Sequence, residues 1–322
     1  MKRVLMTGAT GFVGANLARR LVNDGHETHL LVRPGWSPWR IEGIRPDVRL
    51  VEAGLDDLKR LTAIVARIRP DWIFHLAVFG AYSHQAGIHQ MIDTNVVSTI
   101  NLVEACLRHG FEAFINTGSS SEYGFKDYAP SEQAWLEPNS HYAVTKAAAT
   151  LYCRHTAQAR QVHLSTLRLY SVYGPFEEPT RLLPALIVNG FENQLPPLVN
   201  PTIARDYVFV DDVVDAYIFA AARPGQEIGA VYNVGTGIQT SLGELVASAR
   251  RILTITAEPI WGSMANRQWD SATWVADSRA IQRALGWQPR YDIESGVGAM
   301  AAWFRDDPSR LVFYRDRMRR GD

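Results

Sequence analysis

Tyr142 and Lys146, in the run YAVTK, are the most reactive pair in the chain. Four positions apart on a helix, their side chains share one face. An ammonium beside a phenol favours the phenolate, so Lys146 is expected to draw Tyr142 below its ordinary pKa of about 10. That makes a usable proton donor and acceptor at neutral pH. Upstream, TGSSSEYG at 117–124 offers several hydroxyls just after an apolar run expected to end as a strand near Asn116. A third run, TGATGFVG, places Gly8, Gly11 and Gly14 between a short apolar stretch and a helical pattern. Gly8 allows a tight turn, Gly11 lets a pyrophosphate approach the backbone at the helix head, and Gly14 lets the helix pack close. Standing after a strand and opening a helix, the triplet reads as a dinucleotide site.

The end of the second strand bears on which dinucleotide. An acid there would accept from a free ribose 2′-hydroxyl. The chain instead has HLLVRPGWS, with Arg33 directly after Val32. A guanidinium binds a 2′-phosphate through two hydrogen bonds, so NADP is expected, with NAD as the alternative. Ser37 and Arg40 are candidate helpers.

These groups need a scaffold. Apolar runs at 4–6, 28–32, 48–51, 72–76, 113–116 and 163–169 read as strands, and 58–68, 91–108 and 141–157 as helices. In the long one, Ile92, Val96, Ile100, Val103 and Leu107 line one face. Strict alternation implies an α/β fold of Rossmann type, a doubly wound parallel sheet with helices on both faces. After about residue 174 the rhythm changes. Prolines recur at 175, 179, 184, 196, 197 and 201, between short helices at 181–188 and 242–253 and strands at 207–210 and 231–234. The expected division is a dinucleotide-binding domain of 1–174 with a return segment near 205–234. A smaller C-terminal substrate-binding domain would comprise 175–204 and 235–322. The last stretch, 305–322, has six Arg against four Asp and is expected to present a solvated helix face.

Composition narrows the partners. The 322 residues suit about two domains, and 33 basic residues balance 33 acidic ones. That neutrality argues against nucleic acid or an anionic membrane as partner. Cys106 and Cys153 have neither metal-ligand nor disulfide-framework spacing, which fits a reducing compartment. The start, MKRVLMTGATGFVGANLA, is too broken by Gly, Thr and Asn to read as a secretion signal. No apolar run reaches a membrane span. A cytoplasmic protein without a metal is expected.

With these runs in order, the chain resembles the extended short-chain dehydrogenase/reductase family of nucleotide-sugar epimerases, dehydratases and reductases. The resemblance extends through HLA at 75–77, DTNVVST around Asn95, RLYSVYGP from Arg168, RDYVFVDDVVDA from Arg205, YNVGTG from Tyr232 and LGWQP from Leu285. It implies a Rossmann domain with a small substrate domain, in agreement with the pattern above. It also implies that Ser119, four residues before Tyr123, bonds the reacting sugar oxygen. Tyr142 would exchange the proton, and Lys146 would hold the nicotinamide ribose. Arg205 would contact the substrate diphosphate, and Arg267, in NRQWDS, the phosphates or nucleotide ribose. The implied cofactor contacts are Gly8, Thr10, Gly11, Phe12, Val13, Gly14, Arg33, Leu55, Leu76 and Ala77, with Tyr142 and Lys146. The implied substrate contacts are Phe79, Ser120, Ser121, Ser171, Arg205 and Arg267. Loops 79–83, 176–183 and 195–203 are expected to wall the nucleotide, and Trp36 and Trp39 to shelter adenine or anchor their loop.

Three departures from the family pattern narrow the reaction. Ser121 stands where 4,6-dehydratases carry an acid, and Glu122, on a strand-like segment, is expected to point away. Gly54, in AGLDD, holds the position of the family's adenine-contacting acid, leaving Asp56 as a shifted substitute or a helix cap. Ser171 replaces an Asn before VYGP. The expected activity is therefore NADP-dependent reduction of a nucleotide-linked 4-keto-6-deoxyhexose. The alternative is a 4-epimerase passing through a 4-keto sugar, and a 4,6-dehydratase or a non-catalytic cofactor-binding protein is less favoured. The resemblance also implies a homodimer through the helices near 94–108 and at Tyr142, which carry Val97, Ala105, Ala147, Ala148 and Leu151.

Overall fold

The computed structural model describes residues 1–82, 85–223, 225, 227–264 and 273–320. β1 (Arg3–Thr7) runs through the glycine turn into α1 (Phe12–Asn23), followed by β2 (Glu27–Val32), β3 (Arg49–Glu52), α2 (Leu58–Ile68) and β4 (Trp72–His75). α3 (Ile88–Ile92), a π-helical turn (Asp93–Val97) and α4 (Ser98–Leu107) follow one another without a break. Then come β5 (Ala113–Ser119), a 3₁₀ turn (Ser120–Tyr123), α5 (His141–Arg160), β6 (Leu164–Leu169), β7 (Ser171–Tyr173) and α6 (Leu182–Gly190). The remainder is β8 (Ala204–Arg205), β9 (Tyr207–Phe209), α7 (Val210–Ala222), β10 (Val231–Val234), β11 (Thr240–Ser241), α8 (Leu242–Leu253), α9 (Arg279–Leu285), α10 (Ile293–Asp306) and α11 (Pro308–Arg320).

Seven parallel strands form one sheet in the order β10-β6-β5-β4-β1-β2-β3. The order reverses beside β1, where a doubly wound sheet opens its binding crevice. Strand alternation divides the core. Val4 and Met6 pack with α1 and α7 on one face, while Leu5 joins α2, α4 and α5 on the other. A third apolar cluster joins α6, α8, α10 and α11 around Tyr173, Leu186, Leu245, Phe304 and Tyr314.

Several expectations need correcting. α11 leaves Ser309, Val312, Asp316, Arg319 and Arg320 exposed, but its other face buries Tyr314 and sets Arg310 and Arg317 4.5 Å from the Trp303 ring and 5.5 Å from the Trp39 ring. Trp39 packs against Phe313 and Tyr314, so it anchors its loop to α11 rather than sheltering adenine. Ala105 and Ala147 are buried in their own subunit, whereas Ile92, Val97, Val144 and Leu151 are exposed. Both cysteines are free and buried. Among the described residues, no helix is long and apolar enough to cross a membrane, and no His/Cys/Asp/Glu group is placed to hold a metal.

Candidate active site

The carboxyl ends of the central strands lie side by side, with Thr7 level with His75, His75 with Asn116, and Ser119 with Leu169. β5 runs three residues beyond the expected end, so Ser119 is its last residue. α5 starts at a Ser140 cap, whose hydroxyl accepts from the Ala143 N–H at 3.2 Å. That start brings Tyr142 over β5, close enough for the Ser119 hydroxyl to act on its phenol. One turn on, the buried Lys146 ammonium donates to the Thr117 carbonyl. The Thr117 hydroxyl donates to the His75 carbonyl at 2.8 Å and lies 2.6 Å from the Tyr217 hydroxyl. His75 is bracketed by the Thr7 and Thr99 hydroxyls at 2.7 and 2.9 Å, and burial pushes it down to about 3. It is a neutral strut.

The expected lowering of Tyr142 by Lys146 is not found. Burial pushes the Tyr142 phenol up, while the Ser119 hydroxyl and the Arg181 charge work downward and the Glu122 charge upward. Burial also lowers Lys146, against the pull of Glu122. The neutral phenol is therefore the resting form.

Glu122 does turn away from the reacting hydroxyls, but not by strand alternation. Ser120–Tyr123 is a 3₁₀ turn that delivers Glu122 into the interior. There it accepts from the Ser119 N–H at 2.8 Å, the Thr150 hydroxyl at 3.0 Å and Arg168 Nε at 2.8 Å. Arg168 Nη1 also donates to the Tyr123 hydroxyl at 2.8 Å, which donates in turn to Asn233 at 2.7 Å. Sequence reading missed this network, since only the acid–base pairing in space identifies it.

The glycine turn fits a pyrophosphate. Gly8 has φ +72°, and a side chain there would strike the Leu76 main chain; one on Gly14 would strike the Gly8 carbonyl. Gly11 differs, since an added Cβ would meet only the Gly8 oxygen at 3.2 Å. Its missing side chain keeps open the head of α1, where no side chain caps the helix. The N–H groups of Phe12, Val13 and Gly14 have no acceptor among the described residues. Oriented donors at a helix head suit phosphate oxygens. Thr10, Leu55, Leu76 and Ala77 flank this crevice at the ends of β1, β3 and β4. Arg33 follows the last residue of β2, is exposed and bonds to no described residue.

One expected helper of the cofactor and one expected helix cap fail. Arg40 turns the other way: its Nε donates to the Phe176 carbonyl and its Nη2 to Glu178, both at 2.8 Å. The α2 cap is Asp57, which accepts from the Arg60 N–H at 2.9 Å, so Asp56 is not the cap. Instead the Asp56 carboxylate folds over Gly54, into the space that a side chain there would take.

On the substrate side, Trp274 joins two expected contacts. Its indole N–H donates to Ser120 Oγ at 3.1 Å, and its ring lies 5.4 Å from the Arg205 guanidinium. Buried Asp206 fixes this corner by accepting from the N–H groups of Thr236, Gly237 and Ala276 at 2.7, 2.9 and 3.0 Å. Ser121 and Ser171 are half-buried at the ends of β5 and β6. Phe79 is clamped through both main-chain groups by Asn95, at 2.9 and 2.8 Å. Arg267 and Ser83 lie outside the described residues. Trp274 stands in no run that marks it, and Arg181 lies in the 176–183 loop expected to wall the nucleotide without being singled out there.

Residues 4–235 match the NAD dependent epimerase/dehydratase family. The chain belongs to that family, whose enzymes act on nucleotide sugars with NAD(P). It is 31% identical to a UDP-glucose 4-epimerase of Mycolicibacterium smegmatis over 94% of this chain and 99% of that protein. It is 28% identical to a dTDP-glucose 4,6-dehydratase of Streptomyces griseus, covering 94% of this chain and 93% of that one. Among solved structures, the UDP-glucose 4-epimerase of Thermotoga maritima with UDP-glucose superposes with a TM-score of 0.84. It covers 94% of this chain and 98% of that one at 23% identity, a likeness of fold.

Proposed function

We propose that the chain is a nucleotide-sugar 4-epimerase working through Ser119, Tyr142 and Lys146. One observation carries this reading: among the described residues, the carboxylate whose charge reaches the Tyr142 phenol is Glu122, and it is committed to Arg168. Ser121 stands at the dehydratase acid position, and Glu122 is bound to Arg168. Without an acid to drive loss of water from C5–C6, the chemistry stays at C4. The relative named as a UDP-glucose 4-epimerase supports this over the one-way reduction expected from Arg33, which bears on the cofactor rather than on the reaction. A bound nicotinamide supplies the hydride acceptor and donor at C4. The neutral phenol must first give up its proton to solvent, a loss that the positive charge of an oxidised nicotinamide would favour; as phenolate, Tyr142 would take the C4 hydroxyl proton while Ser119 bonds the same oxygen, and return it after the 4-keto sugar has turned over. Lys146, held by the Thr117 carbonyl, is placed to grip the ribose. Arg205 faces the diphosphate and Arg33 the 2′-phosphate of NADP. The exposed Ile92, Val97, Val144 and Leu151 are proposed as the contact of a cytoplasmic homodimer.

The test is a purified sample without added cofactor. Retained NADP by mass spectrometry, with UDP-glucose converted to UDP-galactose and no net cofactor turnover, is the expected result. Stoichiometric NADPH oxidation by a nucleotide-linked 4-keto-6-deoxyhexose, without epimerisation, would overturn it.

A further inference from the structure

Arg181 is a half-buried cation that forms no ion pair with any described residue. Its Nη2 donates to the Ala81 carbonyl at 3.2 Å, and its guanidinium lies 5.0 Å from the centre of the Tyr82 ring. Two acids lie near it, and neither forms an ion pair with it. Glu178 is paired with Arg40 at 2.8 Å. Glu177 is buried, its Oε2 has no hydrogen-bond partner among the described residues, and burial pushes it up to about 8. The Arg181 charge works against that rise, but the two side chains form no ion pair.

The position of that charge matters. Ala81 and Tyr82 continue the segment that Asn95 clamps at Phe79, and the same Asn95 amide donates to Thr145 at 2.9 Å, between Tyr142 and Lys146. Arg181 is close enough to Tyr142 to act on its phenol. Arg205, by contrast, stands with Trp274 and Ser120. The two cations therefore approach the sugar nucleotide on different elements. In a hexopyranose, C4 and C6 are both bonded to C5, so a group beside the C4 hydroxyl also faces C6. A partly desolvated guanidinium gains most from an anion that matches its planar fork, and a carboxylate does.

We propose that Arg181 receives a carboxylate at C6 of the sugar, so that the preferred substrate is a nucleotide-linked hexuronic acid rather than a neutral hexose. This rests on the 4-epimerase reading above. The experiment compares UDP-glucuronate with UDP-glucose on the protein carrying its own cofactor. Using one nucleotide for both sugars cancels the contribution of the base. The expected result is a kcat/KM ratio favouring glucuronate about tenfold or more, which Arg181→Leu lowers by about 10- to 100-fold and Arg181→Lys by less. A merely structural Arg181 would depress both sugars together and leave the ratio unmoved, which overturns the proposal. So does a wild-type ratio near or below one. If neither sugar is epimerised, calorimetric binding of the same two sugars reads the same ratio. A preserved binding preference then supports Arg181 while the 4-epimerase reading falls, and equal binding removes both.

Discussion

Truncating Glu122 to alanine tests whether the floor of the site is held by a matched buried charge. Glu122 is fully buried and Arg168 is 3% exposed. Without the carboxylate, the Arg168 guanidinium keeps the Tyr123 hydroxyl at 2.8 Å and a long contact to the Glu132 carbonyl at 3.5 Å, but loses its ion pair. An orphaned buried charge costs about 3–5 kcal/mol. The Ser119 N–H and Thr150 hydroxyl lose their acceptor too, adding about 1–3 kcal/mol. Unfolding entropy of about 2.1 cal/mol/K per residue over 322 residues converts each kcal/mol to about 1.5 °C in Tm. A fall of roughly 6–12 °C is expected by differential scanning fluorimetry. Glu122→Leu combined with Arg168→Leu removes both charges and is expected to be more stable than either single variant, by a coupling of about 2 kcal/mol or more. Its kcat stays low, about tenfold or more below wild type, because the main chain of Ser119 has lost its anchor. A Tm change under about 2 °C for Glu122→Ala, or a double variant no better than the sum of the singles, would refute the argument.

Three further outcomes follow from the site. Gly11→Ala keeps an ordinary φ of −84° and meets only the Gly8 carbonyl oxygen, at a tight 3.2 Å, so the fold should hold after a small local shift while retained cofactor, measured by mass spectrometry, falls about tenfold or more. Arg33→Asp should shift the ratio of NADP to NAD affinity by about 100-fold towards NAD in titration calorimetry, and an unchanged ratio would remove Arg33 from the cofactor site. Glu177 is raised from 4.5 to about 8, so between those values the folded chain keeps a proton that the unfolded chain has released. Stability that is present below pH 4.5 is therefore lost as pH rises towards 8, by at most about 4–5 kcal/mol. Glu177→Gln should flatten that slope in denaturant melts at pH 5 and pH 8, and parallel losses in the two proteins would contradict it.

What could be read from the sequence was whatever local spacing determines. α8 was expected at 242–253 and ends there, because the Ser241 and Glu244 side chains close both sides of a capping box just before an apolar periodic run. β5 was cut short at Asn116 because Thr117, Gly118 and Ser119 carry no apolar signal; pairing with Leu167, Arg168 and Leu169 of β6 makes them strand. The orientation of Glu122 was derived from the wrong period. A strand would have alternated it outward, but Gly124 at φ +69° ends a tight turn that winds it inward. The partner that makes this burial tolerable is Arg168, far along the chain. Arg40 was misassigned for the same reason: Phe176 and Glu178, which take its donors, lie more than a hundred residues away. Periodicity and capping act within a few residues, whereas the fate of a charged side chain is settled by tertiary neighbours.

That distinction separates scaffold from site. The chain's overall charge is zero, yet its arginines divide into two kinds. Arg168 and Arg40 are buried against Glu122 and Glu178, and each ties distant segments together. Arg33 and Arg181 form no ion pair with any described residue, and both border the crevice at the strand ends, Arg33 after β2 and Arg181 near Tyr142. A paired buried charge has already recovered its desolvation cost within the fold, so altering it is read as lost stability. An unpaired cation at a crevice has no ion pair in the fold to lose, so altering it is read as lost affinity or selectivity with the fold intact. Measuring Tm and the ligand-affinity ratio on the same set of arginine variants should therefore sort them into two groups that do not overlap. A variant of Arg181 that loses as much stability as one of Arg168 would show that the sorting by ion pairing is wrong.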